Sequence, residues 1–344
     1  MREFRPVAAP PGRLVRLALV LDPRNDASQT VRVAQMSERA GLQALWINDR
    51  LVTVDGLARM EAWTMLTVAA MYTSSIGVGV MFASGLRSPQ ALAAMVGSTD
   101  TVIGGRIELG VAAGWYDREY SGLGLPFPDA SSRIDQMGRF AETLMTLTRG
   151  EPLHEGGPTL AVTSPQTGGP SLTVEARGRR QLGIAVRLAD NVLLPTRPLS
   201  ELHALVATAR QAAEDEGRDP ASLGFAVQLP VSVGRTNAES DVRVEIDDML
   251  AQMDTKTIGV HGDLERCQDI MIELAHVGIG EVRCVLPNVA DIDDVIAQLT
   301  ATTVGTTDVL KPGSPRSEAP PPPPGWGSPT RSRPSTGVRL EAGE

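Results

Sequence analysis

One rhythm constrains this chain more than any other feature. Compact apolar runs alternate with segments of helical spacing, eight times over. The apolar runs are Val15–Asp22, Ala44–Asp49, Ile76–Ala83, Ile107–Val111, SLTVEA, NVLLPT, LGFAVQLPVSVG and Glu281–Pro287. Between them TVRVAQMSERAG ends at Gly41 as a C-cap, and EAWTMLTVAAMYTS follows. SPQALAAMVGSTDTVIGG begins with Ser88 as cap and Pro89 at the first helical position. RIDQMGRFAETLMTLTRG is capped by Ser131 or Ser132, and RRQLGIAVRLAD and LSELHALVATARQAAEDEG complete the series. Asp241–Val277 reads as helical with a break near TKTIGVHGD, and IDDVIAQLTATT as an eighth helix. Eight strands, each followed by a helix, is the count of a (β/α)8 TIM barrel. The strands lack strict alternation, as when both faces of a sheet are covered. The alternative is a doubly wound sheet, and no G-x-G-x-x-G after the first strand supports it.

The pattern divides the chain into an N-terminal extension (1–13), a barrel domain (14–304) and a Pro/Ser/Arg-rich, disordered tail (305–344). Within the barrel, residues 151–170 are rich in Gly, Pro, Ser and Thr and read as an irregular insertion. A formal charge of −9 disfavours nucleic-acid and anionic-membrane surfaces. No run approaches the roughly 18 apolar residues of a membrane helix, and Arg13, Arg16 and Asp22 break any leader-like segment. Two isolated thiols, Cys267 and Cys284, fit buried structural roles in a reduced, cytoplasmic protein.

In such a barrel the chemistry gathers at the C-terminal ends of the strands. That brings DRL after strand two, FASGLRS after strand three and GWYDRE after strand four around one mouth. Aromatics are only 3% of the chain, so the adjacent Trp115 and Tyr116 stand out. At a rim they can wall a pocket for a flat, apolar ligand; equally, Trp115 can pack under its own loop. The four histidines show no metal-ligand spacing, and neither G-x-S-x-G nor a Walker pattern is present.

The stretch GGRIELGVAAGWYDREYSGLGLPFPDASSRIDQM resembles the bacterial-luciferase-like oxidoreductases, which use flavin or the deazaflavin coenzyme F420. The shared pattern is G-R-x-x-L-G-V-x-x-G-W-x-x-x-E-(F/Y)-x-x-x-G, with P-F and an Arg opening the next helix. GVGVMFASGLRSPQALAAMVGSTD, LWINDR and GVHGDLERCQDIMIELAHVGIGEVRCVLP extend the likeness from Val15 to Leu299. The resemblance implies a cofactor lying across the barrel mouth. It implies Asp49 for proton handling or pocket polarity, or else as a loop anchor, and Trp115 and Tyr116 as substrate-side walls. Where relatives often carry Asp-His, this chain has Asp49-Arg50, and Arg50 could meet an anionic group or form a surface ion pair. Gly79 and Val80 occupy the place where some relatives press a non-proline cis peptide against the ring, and Gly79 would leave room for it. The cofactor phosphate is expected at Gly178 and Arg179, with Thr196 and Arg197 as further contacts; Glu175 is awkward there unless paired.

Two chemistries follow from the cofactor: hydride transfer to an organic substrate from reduced F420, slightly favoured, or monooxygenation with reduced FMN. The expected partner is a small organic molecule, and the expected assembly a homodimer. Residues 151–170 are a candidate part of the substrate entrance. The competing reading is a cofactor-free barrel acting as a binding or accessory protein.

Overall fold

The computed structural model describes residues 4–6, 9, 14–22, 24–52, 60–236, 259–286, 296, 299 and 301–302. The ring strands are β1 (Arg16–Val20), β2 (Ala44–Asn48), β3 (Gly77–Ala83), β4 (Ile107–Ala112), β5 (Ser171–Glu175), β6 (Asn191–Leu194), β7 (Gly224–Val233) and β9 (Glu281–Val285). Each pairs in parallel with the next, and β9 pairs with both β7 and β1, so the ring closes. The fold is a TIM barrel. The helices are α1 (Ala27–Arg39), α2 (Ala62–Met71), α3 (Pro89–Ile103), a short α4 (Asp117–Gly122), α5 (Ala130–Thr148), α6 (Arg179–Leu188), α7 (Leu199–Asp215) and α8 (Leu264–His276).

Local chemistry sets the helix starts. Ser88 Oγ accepts from Ala91 N, with Pro89 behind it, as the sequence signals. Asp26 and Gln29 form a reciprocal capping box on α1. For α5 the cap is Asp129, whose carboxylate accepts from Ser132 N at 3.1 Å, rather than Ser131 or Ser132. Asp is as good a cap as Ser, so a carboxylate two residues before Ser131 could start the helix earlier.

The region read as one broken helix contains instead a short strand, β8 (Val260–Gly262), before α8. It pairs with Val231–Val233, the upper end of β7, while the lower part of β7 pairs with β6 and β9 inside the ring. Residues 241–258, most of IDDVIAQLTATT and the 305–344 tail lie outside the described residues.

Alternate strand residues face two cores. Outward residues such as Leu17, Val78, Val80, Leu109 and Val174 pack with the helices in one continuous cluster. Inward, Ala18 and Ala44 pack with Trp46, and Met81 packs with Leu193 and Ala226. The base of the interior is charged. Arg16 pairs with Glu108 and Glu281, and Arg283 donates from Nε to Glu281 at 2.6 Å and from an Nη to Thr173 Oγ1 at 2.9 Å. The Arg283 guanidinium also lies 3.4 Å from the Trp46 ring centroid. Burial works against the Glu281 charge, yet Arg283 and Arg16 hold its pKa below the usual carboxylate range.

The insertion 151–170 carries no helix or strand, and its later residues pack where the strands begin, away from the mouth. Ser164 and Gln166 bond Asp100, and Gln166 Nε2 also donates to the carbonyl of Ile107, the first residue of β4. It is therefore no part of a substrate entrance at the strand C-termini. A connection from a helix to the next strand arrives at strand N-termini, which explains the placement. The N-terminal extension reaches the same end, where Arg5 N donates to Asp190 Oδ1.

Cys267 and Cys284 are buried and free; burial pushes the Cys267 thiol up to about 12 and Cys284 higher still. Among the described residues no helix is long and apolar enough to cross a membrane, and no His/Cys/Asp/Glu group is arranged to hold a metal.

Glu38 on α1 positions the entry to β3. Its Oε1 accepts from the backbone N–H groups of Ser74, Ser75 and Ile76 and from Ser75 Oγ. Partial burial opposes its charge, but these donors outweigh burial and lower its pKa to about 2. Because the folded pKa lies below the unfolded value, the stabilisation is complete above about pH 5 and is lost as pH falls towards about 2. The melting-temperature gap between the wild type and Glu38→Gln should therefore be widest near about pH 7 and close on acidification. A gap that stays constant with pH would show that these donors do not act on the ionised carboxylate.

Candidate active site

The inward residues at the top of the ring form a half-buried floor: Val20, Asn48, Ala83, Ala112, Glu175 and Gln228. Trp46 closes the barrel beneath it at 1% exposure. Gly79 serves this packing, because a Cβ there would lie 2.7 Å from the Trp46 ring, so the space expected for a cofactor is filled by indole. Val80 points outward into the helix-facing core. No peptide bond among the described residues is cis. Gly79 and Val80 thus shape the barrel wall and do not line the mouth.

Asp49 directly follows β2, with a side chain wholly shielded from solvent. Arg87 grips it with two bonds of 2.7 Å, from Nε to Oδ2 and from an Nη to Oδ1. The same guanidinium reaches Glu61 Oε1 at 2.5 Å, and Glu61 caps α2 by accepting from Trp63 N and Thr64 N. Burial pushes the Asp49 carboxyl above the ordinary carboxylate range, against the pull of Arg87. Of the two roles open to Asp49, this geometry matches the loop anchor: both oxygens are engaged in joining β2, the β3–α3 turn and α2.

Trp115 and Tyr116 follow β4. Trp115 is 59% exposed, and its ring meets Tyr116 edge-on with centroids 5.4 Å apart. The Arg50 guanidinium sits 5.0 Å from the Trp115 centroid and 5.8 Å from that of Tyr116. The structure therefore gathers Arg50, Trp115 and Tyr116 on the rim beside Asp49.

Two residues of the same motif hold this rim and were not singled out from sequence. Glu119 is buried, and its Oε1 accepts from Leu51 N at 2.7 Å. Tyr120 is 1% exposed and lodges its phenol between Gly85 and Gly114, where a Cβ at either glycine would strike it. Gly114 also has φ +74°, so two requirements coincide there. Burial pushes the Tyr120 pKa up. The x-x-E-(F/Y) portion of the motif was the available signal.

On the β5 side, Gly178 is the N-cap of α6; no side chain caps the helix, and no atom lies within 4 Å of a Cβ built there. Arg179 is exposed at the first turn. Glu175 is paired, accepting from Arg177 at 2.9 Å, which removes the repulsion expected of it. Arg180 turns aside to Ser131 and Asp135. Thr196 Oγ1 donates to the Gln228 carbonyl, and Arg197 lies 3.9 Å from Glu201. The uncapped N–H groups, the open space and Arg179 fit a phosphate; Thr196 and Arg197 are already partly engaged.

A closed parallel ring with its functional groups at the strand C-termini is the layout of a barrel enzyme. A model of the family described as luciferase-like monooxygenase matches residues 13–272. The chain belongs to that family and is an oxidoreductase of the luciferase-like class. It is 23% identical over 229 residues to the 5,10-methylenetetrahydromethanopterin reductase of Methanolobus tindarius, covering 65% of this chain and 67% of that one. An F420-dependent secondary alcohol dehydrogenase in complex with an F420–acetone adduct superposes with TM-score 0.72 at 14% identity, covering 84% and 98% of the two chains. The oxygenating constituent of 3,6-diketocamphane monooxygenase from Pseudomonas putida, in complex with FMN, gives 0.68 at 16% identity over 84% and 98%. The two structural likenesses establish the shared fold.

Proposed function

We propose that the chain binds F420 or FMN across the barrel mouth and acts on a small organic substrate, with F420 favoured. The observation that carries this reading is the uncapped start of α6 behind Gly178, beside exposed Arg179. Gly178 and the first N–H groups of α6 would hold the phosphate, where the helix dipole favours an anion. The half-buried floor from Val20 to Gln228 would seat the ring. Bound in reduced form, F420 supplies a hydride to the substrate, whereas reduced FMN supports oxygenation. Trp115 and Tyr116 wall the substrate and exclude water, and Asp49, held by Arg87, fixes the wall opposite. The F420-dependent dehydrogenase among the structural neighbours supports F420, and the FMN-bound monooxygenase of the same fold supports FMN as the alternative.

A homodimer is the proposed assembly, with the exposed apolar residues Met71, Tyr72, Met95 and Val102 available to its interface. The unpaired thiols support a cytoplasmic location.

Titration of the purified chain with F420, FMN and the phosphate-free analogue of each tests the reading. One cofactor should bind saturably, about 10-fold or more tighter than its phosphate-free form, and Arg179→Glu should erase that difference. Saturable binding of neither cofactor would overturn the proposal in favour of a cofactor-free binding barrel.

A further inference from the structure

The acids at the strand ends β1, β2 and β5 each have an arginine. Asp22 accepts from Arg24, Asp49 from Arg87 and Glu175 from Arg177. Arg50 has the opposite arrangement. Among the described residues no carboxylate or carbonyl bonds its guanidinium, whose recorded partners are the rings of Trp115 and Tyr116. The backbone around it is fixed on both sides: Asp49 N donates to the Met81 carbonyl at 3.0 Å, and Leu51 N donates to Glu119. Stacking on a ring face leaves the edge N–H donors of a guanidinium available, and its planar fork matches a carboxylate.

We propose that Arg50, Trp115 and Tyr116 form a recognition site for the carboxylate of a planar, apolar substrate. The guanidinium binds the anion, and the aromatic pair covers the apolar body. Because the Arg50 guanidinium already lies against both rings and its flanking backbone is pinned, little conformational freedom remains to be lost on binding. Arg50 is a specificity-determining residue here. The assignment rests on the proposed reading that substrate enters at this rim, and it narrows the substrate class from small organic molecules to organic acids.

The test uses two probes of one shape, 2-naphthoate and 2-naphthamide, titrated calorimetrically into the full chain. Naphthoate should bind about 10-fold or more tighter than the amide at low salt. Arg50→Gln should abolish the preference by weakening naphthoate alone, Arg50→Lys should restore it in part, and Trp115→Ala should weaken both probes. Equal binding in the wild type, no saturable naphthoate binding, or a preference that survives Arg50→Gln would each overturn the site. Cofactor titration of Arg50→Gln runs in parallel and should match the wild type; a lost cofactor affinity would assign Arg50 to the cofactor and overturn its substrate role. A wild type that prefers naphthoate yet binds neither cofactor would sink the oxidoreductase mechanism while leaving this site standing.

Discussion

Glu281→Leu should lose about 3–5 kcal/mol of folding stability, a large share of the total for a typical domain. Glu281 is wholly buried and accepts from both Arg16 and Arg283. Removing it leaves Arg16 with Glu108, but strands Arg283 with only a threonine hydroxyl and the Trp46 face. An uncompensated guanidinium in that interior costs far more than the pair itself contributes. The control is Glu281→Leu/Arg283→Leu, which deletes one charge of each sign and should recover a substantial part of the loss. Urea unfolding monitored by circular dichroism reads both. A single variant within about 1 kcal/mol of the wild type would show that the four charges are not coupled.

The second large effect concerns the middle of the barrel. Trp46→Ala should cost about 3–5 kcal/mol through the cavity it leaves. Gly79→Val should destabilise for the opposite reason, since its side chain would enter the indole ring. The two defects are complementary in volume. Gly79→Val combined with Trp46→Leu should therefore be more stable than the sum of the single changes predicts, by about 1 kcal/mol or more. Strict additivity in thermal melts would mean that Gly79 is not conserving space for Trp46.

The barrel was legible because apolar runs and helical periods alternate whatever the details of each strand. Interior charges were not. Arg16, Glu108, Glu281 and Arg283 all lie within strands, and Glu281 and Arg283 are two residues apart, which puts both on one face. Reading the strands as simply apolar hid that period-two signal. Gly79 was read as room for a ligand, when the occupant is Trp46 one strand away; a glycine shows that something approaches, never what. The adjacent aromatics of GWYDRE were visible as a rim feature, but Arg87 as the partner of Asp49 was not, because nothing local links positions 38 residues apart. The insertion 151–170 was misplaced for a simpler reason: it precedes a strand, and only segments that follow strands reach the mouth.

The double membership of β7 has an evolutionary corollary. Gly224–Pro230 are locked into the ring, and Val231–Val233 receive β8 in fixed register, Val231 opposite Val260. The chain thus leaves and rejoins the scaffold at two anchored points on one strand. Lengthening or shortening what runs between them leaves the ring's alignment intact, so descendants of this barrel can diversify at that place while inheriting the same frame.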